Sequence, residues 1–193
     1  MRCPGQKILI LAGLMFISSP FSGFSKNDAL TVTRCIDGDT LKLSNGEKVR
    51  LIGVDTPESK DNAKLRRDSR RTGQGAKEII EMGKAAAEFT RRIVDGKQVR
   101  LDYDVQRRDK YGRLLAYVYI LVCNNCDVLR TPEYEYLDMT DPDGRNAVCI
   151  FLNATLLKAG YAQVMTVPPN VKYQESFVSL EKDARGRKWG LWK

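Results

Sequence analysis

Histidine is absent from all 193 residues. Phosphate or acyl chemistry in this chain must therefore run without imidazole, on carboxylates, a metal ion and guanidinium groups. Cysteine is sparse, at five. Cys123-Asn124-Asn125-Cys126 resembles half of a zinc knuckle, but Cys35 and Cys149 are isolated and no histidine exists to complete a ligand set, so zinc is disfavoured. Long apolar runs are also missing. The one unbroken stretch, Ile8 to Ile17, is about half the length a helix needs to span a bilayer. Cys3 precedes that run rather than following it, which argues against a lipoprotein. Asp141-Pro142-Asp143-Gly144 lacks the longer alternating-oxygen pattern and distal glutamate of a calcium loop and is read as a polar turn. The chain carries no internal repeats.

What is present begins with a leader pattern. Arg2 and Lys7 precede the apolar run, and Ser18, Ser19, Pro20 and Ser22 end it. Gly23-Phe24-Ser25 places small residues where a signal peptidase requires them. The expectation is a signal peptide over residues 1–25 and a single domain over 26–193, secreted or periplasmic; an uncleaved membrane anchor is the alternative. The net charge of +8 becomes +6 once Arg2 and Lys7 leave with the leader, which contains no acid. A basic exported protein points to a polyanionic partner, while a merely solvated surface explains the same charge. Export also favours a disulfide among Cys123, Cys126 and Cys149, bracing the 123–149 segment; the pairing is not readable.

Residues 30–36, 40–44 and 47–54 are apolar-alternating runs, the last two joined by Asn45-Gly46, a strong hairpin signal. Residues 99–105 and 114–122 read as two further strands. A helix is expected over 78–94, where Ile79, Met82, Ala86, Phe89, Ile93 and Val94 share a stripe. Shorter helices are expected over 150–159 and 173–187, the second after Pro168-Pro169-Asn170. Trp189-Gly190-Leu191-Trp192 is expected to pack back on the core. Residues 59–77 hold seven lysines and arginines and read as a mobile surface loop, either an electrostatic arm that tracks a phosphate backbone or a solvated bystander. Residues 123–148 read as an insertion. Five strands with a helix between the third and fourth give the fold class: α+β, mainly β, a five-stranded OB-fold barrel with about three helices.

Three runs carry the chemistry: Asp37-Gly38-Asp39-Thr40, Arg50 to Glu58, and Asp109-Lys110-Tyr111-Gly112-Arg113. With Asn153 to Ala162 and Gly190-Leu191-Trp192, they stand in order over about Leu30 to Trp192, and on them the chain resembles the staphylococcal nuclease (thermonuclease) family. The basic stretch at 59–77 and the insertion at 123–148 depart from its pattern. The resemblance implies one calcium ion held by Asp39, Asp55 and the Thr56 carbonyl. It implies that Arg50 and Arg113 grip the scissile phosphate and that Glu58 positions or deprotonates water. It further implies cleavage of DNA and RNA with 3′-phosphate ends. The residue types suit these roles: calcium takes hard oxygens, guanidinium binds phosphate in a fork, and a glutamate is the available base. Lys110, Tyr111 and Tyr161 are candidate substrate contacts, since an aromatic ring can stack on a base. Asp37 reads as turn chemistry. The expectation is a monomer without a stable membrane partner. Two other readings share the barrel: a non-catalytic nucleic-acid-binding module, and an exported polyanion-binding protein.

Overall fold

A computed structural model describes residues 30–60, 65–66, 69–70, 73, 75–124, 131–140 and 146–193. The proposed leader and Cys126 lie outside these residues.

Three antiparallel strands open the fold. β1 (Leu30–Asp37) turns at Gly38-Asp39 into β2 (Thr40–Leu43), which returns as β3 (Lys48–Leu51). The second turn is the expected one: Gly46, at φ +86°, donates its N–H to the Leu43 carbonyl at 2.9 Å. Alternation sends Leu41, Leu43, Val49 and Leu51 inward and Lys42 and Lys48 outward. β5 (Gln98–Asp102) pairs with β1, and β6 (Leu114–Asn124) pairs with β5. A parallel pairing of β6 with β3, Val49 to Leu114 through Leu51 to Ala116, then closes a five-stranded barrel. Together with α1 (Ala76–Val94), α2 (Leu152–Lys158) and α3 (Gln174–Gly186), this is the expected α+β, OB-like architecture.

The structure corrects the expected third strand. The run 47–54 is not one strand but two, broken after Leu51. Gly53 takes φ +78°, and a Cβ there would lie 2.6 Å from the Phe177 ring. Only glycine combines that backbone with that clearance. The chain then leaves the barrel as β4 (Gly53–Asp55) and pairs with β9 (Gln163–Met165), Asp55 opposite Gln163.

The described part of the insertion contributes strands. β7 (Tyr136–Thr140) and β8 (Asn146–Phe151) extend the sheet beyond β6. Strand β8 runs to Phe151, so the expected helix 150–159 begins only at Leu152. Glu135 and Lys158 anchor the segment to α2: Lys158 Nζ donates to Glu135 Oε2 at 2.9 Å and to the Tyr134 carbonyl at 3.0 Å, and Thr155 Oγ1 accepts the Glu135 N–H at 3.0 Å. Cys149 is a free thiol at zero exposure, so the expected disulfide does not include it. Burial pushes that thiol up to about 11, which keeps it protonated. Some of the described residues of the 59–77 stretch depart from the expected surface loop. Residues 65–66 and 69–70 are helical, Gly73 donates its N–H to the Ser69 carbonyl, and Leu65 is buried while Arg66 and Arg70 face solvent.

An aromatic layer joins the barrel to α3. Tyr119 stacks on Phe151 at 4.7 Å, and Tyr117 meets Tyr173 edge-on at 4.6 Å. The Tyr119 and Tyr173 hydroxyls share a 3.0 Å hydrogen bond. The tail packs back as expected: Leu191 donates its N–H to the Gly160 carbonyl at 2.7 Å.

One buried polar residue welds the closure. The Asn153 amide oxygen accepts the Val118 N–H at 2.9 Å, and its amide nitrogen donates to the Ile52 carbonyl at 2.8 Å. Asn153 is fully buried, so truncation strands both partners without water. Urea unfolding of Asn153→Ala should show a loss of about 2–4 kcal/mol, with an unchanged m-value; a loss no larger than that of a surface substitution would contradict this role.

Candidate active site

The β1–β2 turn, the end of β3 and the end of β4 converge on one corner of the barrel. The turn delivers Asp39. β3 delivers Arg50, paired with Thr40 on β2 and Leu115 on β6. The β4–β9 ladder delivers Asp55 and, directly after it, Thr56, Pro57 and Glu58.

Arg50 binds both carboxylates. Its Nη1 lies 2.7 Å from Asp39 Oδ2, and its Nη2 donates to Asp55 Oδ1 at 2.9 Å. The Nη1 contact is an ion pair rather than a hydrogen bond: the atom is buried and finds no aligned acceptor among the described residues. That contact seals Nη1 against Asp39, so the guanidinium neutralises the carboxylate from inside the corner.

Asp39 is nearly buried and heavily bonded. Its Oδ2 accepts the Thr56 N–H at 2.9 Å and the Thr56 hydroxyl at 3.0 Å, and its Oδ1 accepts the Thr40 hydroxyl at 3.1 Å. Thr56 thus enters the site through its donors, a role that the sequence did not suggest; its backbone carbonyl was the expected ligand group. A carboxylate has about four lone-pair positions, so Oδ1 retains room for a further partner.

Asp37 borders the site rather than standing apart as turn chemistry alone. Its Oδ1 does accept the Gly38 N–H at 3.3 Å, the expected turn bond. Burial lifts its carboxyl above the usual range, the Ser59 side chain pulls it partly back, and the Asp39 and Glu58 charges raise it further. Those two influences place Asp37, Asp39 and Glu58 in one electrostatic neighbourhood.

Arg113 sits in a separate ion pair. Its Nε donates to Asp109 Oδ2 at 2.7 Å, while Asp109 Oδ1 accepts the backbone N–H of Tyr111 and of Arg113. Burial opposes ionisation of Asp109, but these three donors outweigh it and hold its carboxyl below the ordinary range. The Asp109–Arg113 loop is tied to the β2–β3 turn by Arg108, which forms a two-pronged pair with Glu47 at 2.8 and 3.0 Å and donates to the Gly112 carbonyl at 2.7 Å. The parallel β3–β6 register sets Arg50 opposite Leu115, two residues beyond Arg113, so barrel closure brings the two arginine-bearing segments side by side.

Of the candidate substrate contacts, Tyr111 is open: it is 71% exposed, with Lys110 Nζ 5.1 Å and Arg113 Cζ 5.5 Å from its ring. Tyr161 instead stacks on Phe89 at 4.4 Å, which makes it largely a packing residue. The side chain of Cys123 lies outside the described residues.

The donor set suits a hard cation. Asp39 and Asp55 are drawn together by a single guanidinium, which shows that their oxygens can face one positive centre. Among the described residues no group of three or more Asp, Glu, Cys or His forms a metal cage. Two carboxylates with carbonyl and water oxygens remain a calcium-type set.

The model of the family described as "Staphylococcal nuclease homologue" matches residues 48–193. The chain is 32% identical over 171 residues to the thermonuclease of Staphylococcus intermedius, covering 86% of this chain and 77% of that one. It is 32% identical over 194 residues to the thermonuclease of Staphylococcus hyicus, covering 95% and 90%. It is also 34% identical over 168 residues to endonuclease YncB of Bacillus subtilis, covering 84% of this chain and 61% of that one.

The Asp109–Arg113 pair carries a pH signature. A depressed carboxyl contributes stability that is complete above its unfolded value, about 3.9, and is lost as pH falls through the lower folded value. The stability gap between wild type and Asp109→Asn, followed by urea unfolding, should stay constant from neutral pH to about pH 4 and close only below it. A gap that closed well above that point would contradict the pairing.

Proposed function

The chain belongs to the staphylococcal nuclease family and is a nuclease, and from that premise we propose that it is a calcium-dependent, exported enzyme whose cleavage site is the Asp39–Arg50–Asp55 corner. The observation that carries this is the single guanidinium gathering two carboxylates beside the Glu58 segment.

Asp39 and Asp55 hold the cation, with the Thr56 carbonyl as a further oxygen. When bound, calcium supplies Lewis-acid polarisation of a phosphodiester oxygen and offsets the two carboxylate charges. Arg50 turns a guanidinium N–H from its carboxylate partners to an equatorial oxygen. Arg113 exchanges its Asp109 partner for the phosphate, so that two forks meet the charge that develops in the transition state. Glu58 accepts the proton of the attacking water. Tyr111, exposed beside Arg113 and Lys110, offers a ring on which a base can stack. DNA and RNA are the proposed substrates, since none of these contacts reads a sugar hydroxyl, and 3′-phosphate ends are the proposed products.

Export is supported by the basic, apolar and small-residue order of residues 1–25. No helix among the described residues is long and apolar enough to cross a membrane.

Purified protein with calcium should cut single-stranded DNA and RNA, and EDTA should abolish cutting. End-group analysis should find phosphate on the 3′ side. Arg113→Ala should lower kcat by roughly 10²–10³ without comparable loss of stability, and Glu58→Gln should act as strongly. Near-normal turnover in either folded variant would remove that residue from its role.

A further inference from the structure

One face of α1 touches both halves of the proposed site. Gly83 lies against the Glu58 segment: a Cβ there would fall well inside van der Waals distance of the Glu58 carbonyl carbon and oxygen, and 2.7 Å from the Pro57 carbonyl oxygen. The obstruction is backbone, not a movable side-chain tip. Seven residues later, Thr90 is fully buried, and its hydroxyl donates to the Gly38 carbonyl at 2.8 Å, sharing its proton with the Ala86 carbonyl at 3.0 Å. Gly38 is the residue between Asp37 and Asp39. Between these positions Ala87 offers its carbonyl to Cys35 Sγ at 3.7 Å, and just past the helix Asp95 Oδ1 accepts the Cys35 N–H at 3.1 Å. The helix is therefore fastened to the end of β1.

Positions i and i+7 lie on the same helix face, two turns and about 10.5 Å apart. Glycine inside a helix costs about 0.5–1 kcal/mol relative to alanine. Here that cost is offset by the approach of the Pro57–Glu58 backbone, which any side chain would push away. We propose that α1 is a ruler for the active site: Gly83 sets how deep the Glu58 segment lies, Thr90 sets the Asp37-Gly38-Asp39 loop, and the rigid helix between them fixes the distance from the base to the metal-binding carboxylates. Both are positioning residues, since neither touches substrate or metal. This assignment rests on the roles given above to Glu58 and Asp39.

The two positions have separable signatures. Gly83→Ala displaces the base and leaves the carboxylates in place. Its kcat should fall about 10- to 100-fold and should not recover at saturating calcium. Thr90→Val removes the hydroxyl at equal volume and leaves the Gly38 carbonyl unpaired. Its calcium Kd, read by calorimetry without substrate, should weaken about tenfold, kcat should recover at saturating calcium, and Thr90→Ser should restore the Kd. A purely structural role would lower Tm in both variants and move neither quantity. The proposal is overturned if folded Gly83→Ala retains wild-type kcat, or if Thr90→Val retains wild-type calcium affinity. Should Gly83→Ala fail to fold, the comparison of Thr90→Val with Thr90→Ser decides alone. If wild type binds calcium but cuts no nucleic acid, the nuclease roles fail while the Thr90 comparison still tests the loop. If it binds no calcium, both fall.

Discussion

Two ionised carboxylates brought into one half-buried corner repel unless a positive partner lies between them. Neighbouring like charges near a protein surface repel by about 3–4 kcal/mol. In this chain Arg50 lies between Asp39 and Asp55, and each carboxylate comes from a different piece of the fold. Asp39 belongs to the turn between two barrel strands. Asp55 belongs to β4, which has already left the barrel to pair with β9. The guanidinium is thus both the electrostatic balance of the site and the tie between barrel and flanking ladder. In the proposed mechanism a cation would share those same oxygens.

The departure of β4 rests on packing. Gly53 turns the chain out of the barrel because its backbone takes a left-handed conformation and because the Phe177 ring occupies the space a side chain would need. Asn153 then satisfies the Ile52 carbonyl and the Val118 N–H at the point where β3 and β6 close in parallel. The site geometry consequently depends on residues that perform no chemistry: an aromatic ring on α3, an amide on α2 and a glycine on α1. The insertion follows the same pattern, since its Glu135–Lys158 pair braces α2, which carries Asn153.

Barrel and site differed in how far they could be read before folding. Strand alternation over 40–44, the Asn45-Gly46 turn and the helix over 78–94 are local features, and their periodicity is set by backbone geometry alone. The third strand was overextended because alternation continues through Val54 while the reason for the break, Phe177, lies more than a hundred residues away. Residues 59–77 looked like solvent-facing loop because basic residues dominate the composition and hide one buried leucine, Leu65. Cys149 looked like a disulfide partner on its compartment logic, whereas its strand position turns the thiol into the core. The small face of α1 was missed for a similar reason. Gly83, Ala87 and Thr90 add little to a hydrophobic stripe, and their value lies in what they let approach.

Residue type and spacing carry the chemical inventory: no imidazole, carboxylates and arginines in three short runs, and enough alternating strands to close a small barrel. Those properties are local, because residue type and period need no partner to be visible. The tertiary structure alone decided how the inventory is shared. It joined Asp39, Arg50 and Asp55 into one cluster, made Thr56 a donor to Asp39, and left Arg113 paired with Asp109. It also set the Glu58 segment against a helix that holds the Gly38 loop from the same face. The Asp109–Arg113 and Arg50–Asp55 pairs are local, four and five residues apart, whereas the others join segments that only folding brings together. Such contacts exist only once burial has fixed the barrel and excluded the water that would otherwise compete for every one of these groups.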